Sequence, residues 1–213
     1  MKLWSYWRSS CSYRVRIALG LKGLSYEYAA LHLLRDGGAQ HSAGFLEVNP
    51  QRQVPVLEVV EEGQTLHLVQ SIAIIEYLEE CYPEPALLPA KPGERAHVRA
   101  LAELVNSGIQ PLQNLATFTE LKQRGIDHEA WARTFIARGL TALEALASPR
   151  AGSFLFGSSP TLADVYAIPQ LYNARRFGIA LDGYPTLTRA EQNAQALPAF
   201  HNARPEAQPD AET

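Results

Sequence analysis

The sequence predicts an α/β layer followed by an all-helical region. Three observations predict it. Up to about residue 82, strand-like and helix-like runs alternate in the order β-α-β-α-β-β-α. Four prolines, Pro83, Pro85, Pro89 and Pro92, then break the pattern. Beyond them apolar residues recur only at helical spacing. The boundaries fall at 1–83 for the first domain, 84–89 for the linker and 90–213 for the helical domain.

In order, residues 2–6 read as a strand, and a helix runs from the serines at 9 and 10 to near Gly23. Residues 25–33 form a second strand, and Arg35-Asp36-Gly37-Gly38 a turn. A short helix covers 43–48 and is stopped by Asn49-Pro50. Residues 54–60 and 65–68 are the third and fourth strands, joined through Glu61-Glu62-Gly63-Gln64. Ser71 can cap the next helix, in which Ile72, Ile75 and Leu78 share a face and Glu76, Glu79 and Glu80 look away. That helix ends at Tyr82-Pro83.

In the second region a helix from about Glu94 carries Leu101, Leu104, Val105, Ile109 and Leu112, with Pro111 kinking it or starting a new segment. A helix over 128–147 turns Trp131, Phe135, Leu140 and Leu143 inward. Thr161 and Asp164 stand three apart at the next helix start, the spacing of a capping box and a folding role. The last helix covers 188–197, and the polar, proline-bearing tail after Asn202 reads as loose.

Composition excludes several function classes. Of 213 residues, 46% are hydrophobic, enough for a real core, and the net charge of −3 without a basic stretch argues against nucleic acid. No apolar run is long enough to span a membrane, and no signal-peptide core follows Met1. Two cysteines, Cys11 and Cys81, make no disulfide framework and suit a reducing cytoplasm. The six histidines are scattered, and no metal-ligand spacing occurs.

The chemistry concentrates at Ser9-Ser10-Cys11, where a strand gives way to a helix. A helix N-terminus offers unpaired N–H groups and the positive end of a dipole, both of which favour a bound anion such as a thiolate. The sulfur is either that of Cys11 or that of a small thiol. Pro55 opens a strand and removes a ladder donor. It is an ordinary strand start, or, with a cis bond after Val54, it turns the Val54 backbone toward an extended peptide. Gln70-Ser71 precedes a helix; Ser71 is at least its cap, and the N-terminus there can also take a carboxylate.

Together these sites resemble the thioredoxin-like domain of glutathione transferases. Ser9-Ser10-Cys11-Ser12-Tyr13-Arg14-Val15-Arg16 is similar to the signature of the zeta class of that family. Asn49-Pro50 to Val54-Pro55, Gln70-Ser71 onward, Ile109-Gln110-Pro111-Leu112-Gln113-Asn114, and Pro169-Gln170 to Asn173-Ala174-Arg175-Arg176-Phe177 agree with it in order. The resemblance implies the glutathione transferase fold, an α/β thioredoxin-like domain plus an all-α domain, and glutathione as coenzyme. It places Ser9, Ser10 and Cys11 around the glutathione sulfur, with Ser9 preferred as the thiolate partner and Cys11 in support. It gives Val54 to the tripeptide backbone and Gln70 and Ser71 to its γ-glutamyl end. Gln40, Gln110 and Asn114 line the same pocket. The hairpin at 59–68 is longer than the family pattern, and the register is expected to recover at Gln70.

The activity implied is cis–trans isomerisation of 4-maleylacetoacetate to 4-fumarylacetoacetate, a step of tyrosine and phenylalanine breakdown. The substrate is a small dicarboxylate, so cations are needed; Arg8 and Arg176 fit, against a plain surface charge for the first and a structural ion pair for the second. Arg14 and Arg16, on the first helix, read equally as structural or interface residues. Alternatives are a maleylpyruvate isomerase, a general zeta-class transferase that conjugates or dehalogenates α-haloacids, and, in another class, a non-catalytic binding module of the same fold. A cytoplasmic homodimer is also implied.

Overall fold

The computed structural model describes residues 1–212. It divides by contact into two units, Met1–Pro85 joined by the C-terminal segment from Leu197, and Ala86–Ala196.

The first unit is built on a four-stranded sheet of order β2-β1-β3-β4, formed by β1 (Lys2–Ser5), β2 (Glu27–Ala30), β3 (Val56–Glu61) and β4 (Gln64–Val69). β2 runs parallel to β1, with Ser5 opposite Ala30, and β3 runs antiparallel to it, with Trp4 opposite Val56. β3 and β4 pair without interruption from Val56 opposite Val69 to Glu61 opposite Gln64. The two residues between them, Glu62 and Gly63, both have positive φ (49° and 80°), which a tight two-residue hairpin turn requires. The hairpin thus pairs along its whole length.

Helices α1 (Ser10–Leu21), α2 (Ala43–Val48) and α3 (Ser71–Cys81) complete the α/β layer. α1 is buried at every residue from 12 to 19, so Arg14 and Arg16 lie inside the unit, 0% and 1% exposed. It packs against α3 and against α9 (Pro198–Ala203). Gly20 permits the second approach, since a Cβ there would stand 3.2 Å from the Ala199 backbone. At the far end of α1 the buried Lys22 ammonium donates to the carbonyls of Tyr82 (2.6 Å) and Pro85 (3.1 Å) and pairs with Glu79 (2.8 Å). It thereby satisfies carbonyls just past the end of α3 with a cation.

The C-terminal segment departs from expectation. The tail read as loose is folded back through residue 212, and the segment from Leu197 belongs by its contacts with the α/β unit, whereas the sequence assigned all of 90–213 to the helical domain. Specific polar contacts explain the difference. Arg16 Nε donates to the Ala203 carbonyl (3.0 Å), the Asp210 carboxylate accepts from Trp7 N–H (3.1 Å) and Tyr28 O–H (2.6 Å), and Glu212 pairs with Arg35 (2.6 Å).

The second unit holds α4 (Pro92–Gly108), α5 (Leu115–Gln123), α6 (His128–Ala147), α7 (Leu162–Arg176) and α8 (Pro185–Gln195). α7 is its core helix, buried from 162 to 171, and α4 packs along it. Pro111 starts a new segment, the short 3-10 turn Gln110–Gln113 after α4. α5 was not expected. The predicted capping box is present at the start of α7. Asp164, 0% exposed, accepts from the Leu155 N–H (2.9 Å), the Thr161 N–H (2.8 Å) and the Thr161 hydroxyl (2.9 Å). Burial outweighs these bonds and raises its pKa to about 6. Among the described residues, no helix is long and apolar enough to cross a membrane.

Candidate active site

The strand register brings three predicted sites of the first unit to one end of the sheet. Trp4 opposite Val56, and Val56 opposite Val69, place the C-terminal ends of β1 and β4 beside the N-terminal end of β3. From that edge lead the serines before α1, the Val54-Pro55 dipeptide, and Gln70-Ser71 at the start of α3. Ligands of open α/β sheets collect at such strand ends.

Ser9 is the N-cap of α1, in extended conformation, and its Oγ accepts the Ser12 N–H at 3.2 Å. Accepting that bond leaves the hydroxyl proton available to donate. Ser10 and Cys11 are the first two helical residues, and both are half-buried. No acidic residue stands in the first turn of α1 or of α3, so neither helix N-terminus is neutralised from within.

The Val54–Pro55 peptide is cis. Ladder pairing begins only at Val56, so the Val54 backbone belongs to neither neighbouring strand. Its side chain packs with Tyr6, Trp7, Leu31, Phe45 and Val56. Gln70 adopts a left-handed φ of 69° as it leads into α3, and its amide meets the Gln51 side chain at 2.6 Å. Ser71 is buried, and its Oγ accepts from Arg14 at 3.2 Å. The loop before β3 and the two helix starts are therefore linked by side-chain bonds. Gln40 turns inward: its amide donates to the Leu33 carbonyl at 3.1 Å, beneath Gly38, where a Cβ would come within 2.4 Å of it. Arg8 is half-buried, with its guanidinium 5.3 Å from the centre of the Trp7 ring.

The remaining candidates lie in the second unit. Gln110 opens the 3-10 turn, which a buried amide pair, Gln113 with Gln170 at 2.6 Å, ties to α7. Asn114 caps α5, accepting the Ala116 N–H at 3.1 Å. Arg176 is exposed in the last turn of α7 and donates to Asn173 at 3.0 Å. Its neighbour Arg175 makes a two-pronged ion pair with the buried Glu191 instead.

Sequence reasoning left Arg14 and Arg16 open and did not single out Gln51 or Asp210. Arg16 donates to the Ser5 hydroxyl (3.1 Å), the Tyr6 carbonyl (3.5 Å) and the Trp7 carbonyl (2.9 Å), all in the segment that leads to Ser9. Two arginines with apolar neighbours inside a strongly helical run were the available signal for buried cations.

This end of the sheet suits an extended peptide that carries a thiolate and a carboxylate: two acid-free helix N-termini for the anions, and an unladdered backbone for the peptide. Glutathione, a tripeptide with both groups, fits that set. Comparison with known proteins agrees. Residues 8–81 match the glutathione S-transferase N-terminal domain, and residues 119–193 match the C-terminal domain. The chain belongs to the glutathione S-transferase family, in its zeta class. It is 49% identical to the maleylacetoacetate isomerase of Pseudomonas aeruginosa, over 99% of this chain and 98% of that one. A crystal structure of maleylacetoacetate isomerase from Anaeromyxobacter dehalogenans with glutathione bound in the active site superposes with a TM-score of 0.92 at 55% identity, covering 99% of this chain and 97% of that one. The holo structure of a zeta-class maleylpyruvate isomerase superposes at 0.93, with 45% identity and both chains fully covered.

Proposed function

We propose that this protein isomerises 4-maleylacetoacetate to 4-fumarylacetoacetate with glutathione as coenzyme, in the breakdown of tyrosine and phenylalanine. The observation that carries the reading is the gathering of Ser9, Ser10 and Cys11, Val54 and Gln70-Ser71 at one sheet end, around two helix N-termini with no acidic residue in their first turns.

When bound, glutathione supplies a thiolate that adds to the cis double bond, frees rotation about it and leaves again. The chain's residues have three tasks. Ser9 keeps its accepted bond from Ser12 and donates its hydroxyl proton toward the sulfur, with Ser10 and Cys11 beside it. Lowering a thiol pKa from about 8.5 by roughly two units requires about 2.7 kcal/mol of preferential thiolate stabilisation. One charge-assisted hydrogen bond with a helix N-terminus supplies that order of energy. Val54 offers its backbone to the tripeptide, and Gln70 and Ser71 take the γ-glutamyl carboxylate; Gln40, Gln110 and Asn114 are the further residues assigned to glutathione. Arg8 and Arg176 each hold a substrate carboxylate, a task suited to the planar guanidinium fork.

The close match to a maleylpyruvate isomerase supports the same chemistry on a shorter acid as the second reading. The proposed setting is a cytoplasmic homodimer. Assaying both maleyl acids with and without glutathione tests the proposal. Conversion of 4-maleylacetoacetate that needs glutathione supports it, and a faster turnover of maleylpyruvate selects the second reading. Equal rates in the absence of glutathione would end the mechanism, and tight glutathione binding without turnover of either acid would leave a binding module.

A further inference from the structure

The segment leading to Ser9 is held from both sides at one residue. Asp210, in the C-terminal tail, accepts the Trp7 N–H at 3.1 Å. Arg16, in α1, donates to the Trp7 carbonyl at 2.9 Å. The two pins are themselves braced. Asp210 also accepts from the Tyr28 hydroxyl at 2.6 Å, and Arg16 reaches the tail at the Ala203 carbonyl, 3.0 Å away. The tail between these points is folded on itself by Gln208, whose amide donates to the carbonyls of Asn202 (2.8 Å) and Arg204 (2.9 Å). Ala211, the next residue after Asp210, packs on the cluster that contains Tyr6, Trp7 and Val54.

Trp7 is where such a grip acts on function. Its ring lies under the Arg8 guanidinium, and the turn from Tyr6 to Ser9, closed by Ser9 N–H on the Tyr6 carbonyl at 3.0 Å, runs through it. Fixing the Trp7 peptide therefore fixes both the direction of Arg8 and the place of the Ser9 hydroxyl. Hydrogen bonds to an ionised partner are stronger and more directional than neutral ones. A hydroxyl that must meet a sulfur needs that support, because a site displaced by about 1 Å loses most of its effect.

We propose that Asp210 is a positioning residue for the sulfur site: the C-terminal tail clamps Trp7 through its carboxylate, with Arg16 as the opposing jaw, and so sets Ser9 and Arg8. This rests on the reading of Ser9 as the thiolate partner. The Tyr28 hydroxyl supports the clamp in its protonated form, since burial and its bond to Asp210 hold its pKa above the ordinary value.

The test uses the full-length protein and two readouts. Hydrogen exchange of the backbone amides at Trp7, Arg8 and Ser9, without glutathione, reports the clamp. The ultraviolet thiolate band of bound glutathione, followed against pH, reports the sulfur site. Asp210→Ala should speed exchange at Trp7 by about tenfold, as expected for losing one charge-assisted hydrogen bond. It should also lower the thiolate-to-thiol ratio at fixed pH by about threefold, a rise of roughly half a pKa unit. Asp210→Asn should restore most of both, because its amide oxygen can accept from Trp7 while its NH₂ donates to Tyr28. Tyr28→Phe, which leaves the tail intact, should fall between. Unchanged exchange at Trp7 in Asp210→Ala would overturn the clamp. Faster exchange with an unchanged thiolate pKa would overturn its role at the sulfur. A wild-type protein with no bound thiolate at any pH would remove the Ser9 reading, and this proposal with it, and that failure is seen before any variant is made.

Discussion

Asp164 offers the sharpest test of how the helical unit is held together. Its carboxylate is fully buried at the start of α7 and is the acceptor for two backbone N–H groups and one hydroxyl. Asp164→Ala strands all three donors away from water. A buried donor without a partner costs about 1–3 kcal/mol, so three of them cost about 3–9 kcal/mol, a large share of the roughly 5–15 kcal/mol by which domains are stable. The same carboxyl titrates at about 6 in the folded protein against 3.8 when free, because burial disfavours its charge. A pKa raised by folding means that the folded state holds the proton more tightly. Its stabilising contribution is complete below pH 3.8 and is lost as the pH rises to about 6. The span is roughly two units, or about 3 kcal/mol. Urea unfolding of wild type and Asp164→Asn, followed by circular dichroism between pH 4 and pH 7, isolates it. The advantage of wild type over the variant should shrink by about that amount as the pH rises, since Asn cannot titrate. An advantage that grows with pH, or an Asp164→Ala protein within about 1 kcal/mol of wild type, would refute the argument.

Other outcomes follow from single contacts. Ser9→Ala removes the cap of α1 and should cost about 1 kcal/mol in thermal or urea unfolding, while the thiolate band of bound glutathione falls; a band as strong as wild type would move the role to Ser10. Arg176→Ala should raise the KM for the diacid at least about tenfold and leave that for glutathione near its original value, the signature of one lost carboxylate contact, and an unchanged diacid KM would reject the assignment. Gly139→Val should lower the melting temperature of the protein, because even a Cβ at that position of α6 would stand 2.3 Å from the Ile109 side chain, and overpacking costs about 1–3 kcal/mol; an unshifted melting temperature would show that Ile109 moves freely.

Much of this was legible from local signals. α2 and α6 lie at 43–48 and 128–147, where Asn49-Pro50 and a sustained apolar face bound them. Thr161 precedes α7 as expected, because a capping box is short-range chemistry. Ser71, read as the cap of its helix, is instead the first residue of α3: the N-cap is Gln70, without a side-chain cap bond, and the Ser71 hydroxyl accepts from Arg14. α5 escaped because it buries only Leu121, so no apolar face marks it; Asn114 at its start and Gly125, with φ of 69°, just past its end were the signals that could have found it. The tail after Asn202 was misread because its polar composition matches a loose end, although Pro205 opens a helical turn. The meaning of Asp210 was beyond local reading altogether, since its partner Trp7 is 203 residues away. The same holds for Arg16: periodicity marks a helix face, and says nothing about a buried guanidinium that gathers three carbonyls from two other segments. At the site, Ser9, Val54 and Gln70-Ser71 were placed by motif, and the register explains why they meet. Gln40 was placed by motif too, yet its amide is engaged with the Leu33 carbonyl.

The return of the tail has a consequence for how the molecule is made. Synthesis runs from the N-terminal side to the C-terminal side, and upstream regions generally begin to fold while the ribosome is still at work. Here the nascent α/β unit emerges without its closing piece. The Arg16 guanidinium meets the Ala203 carbonyl only once a further 187 residues have been translated. A segment far downstream in the chain thus completes what the first helix begins.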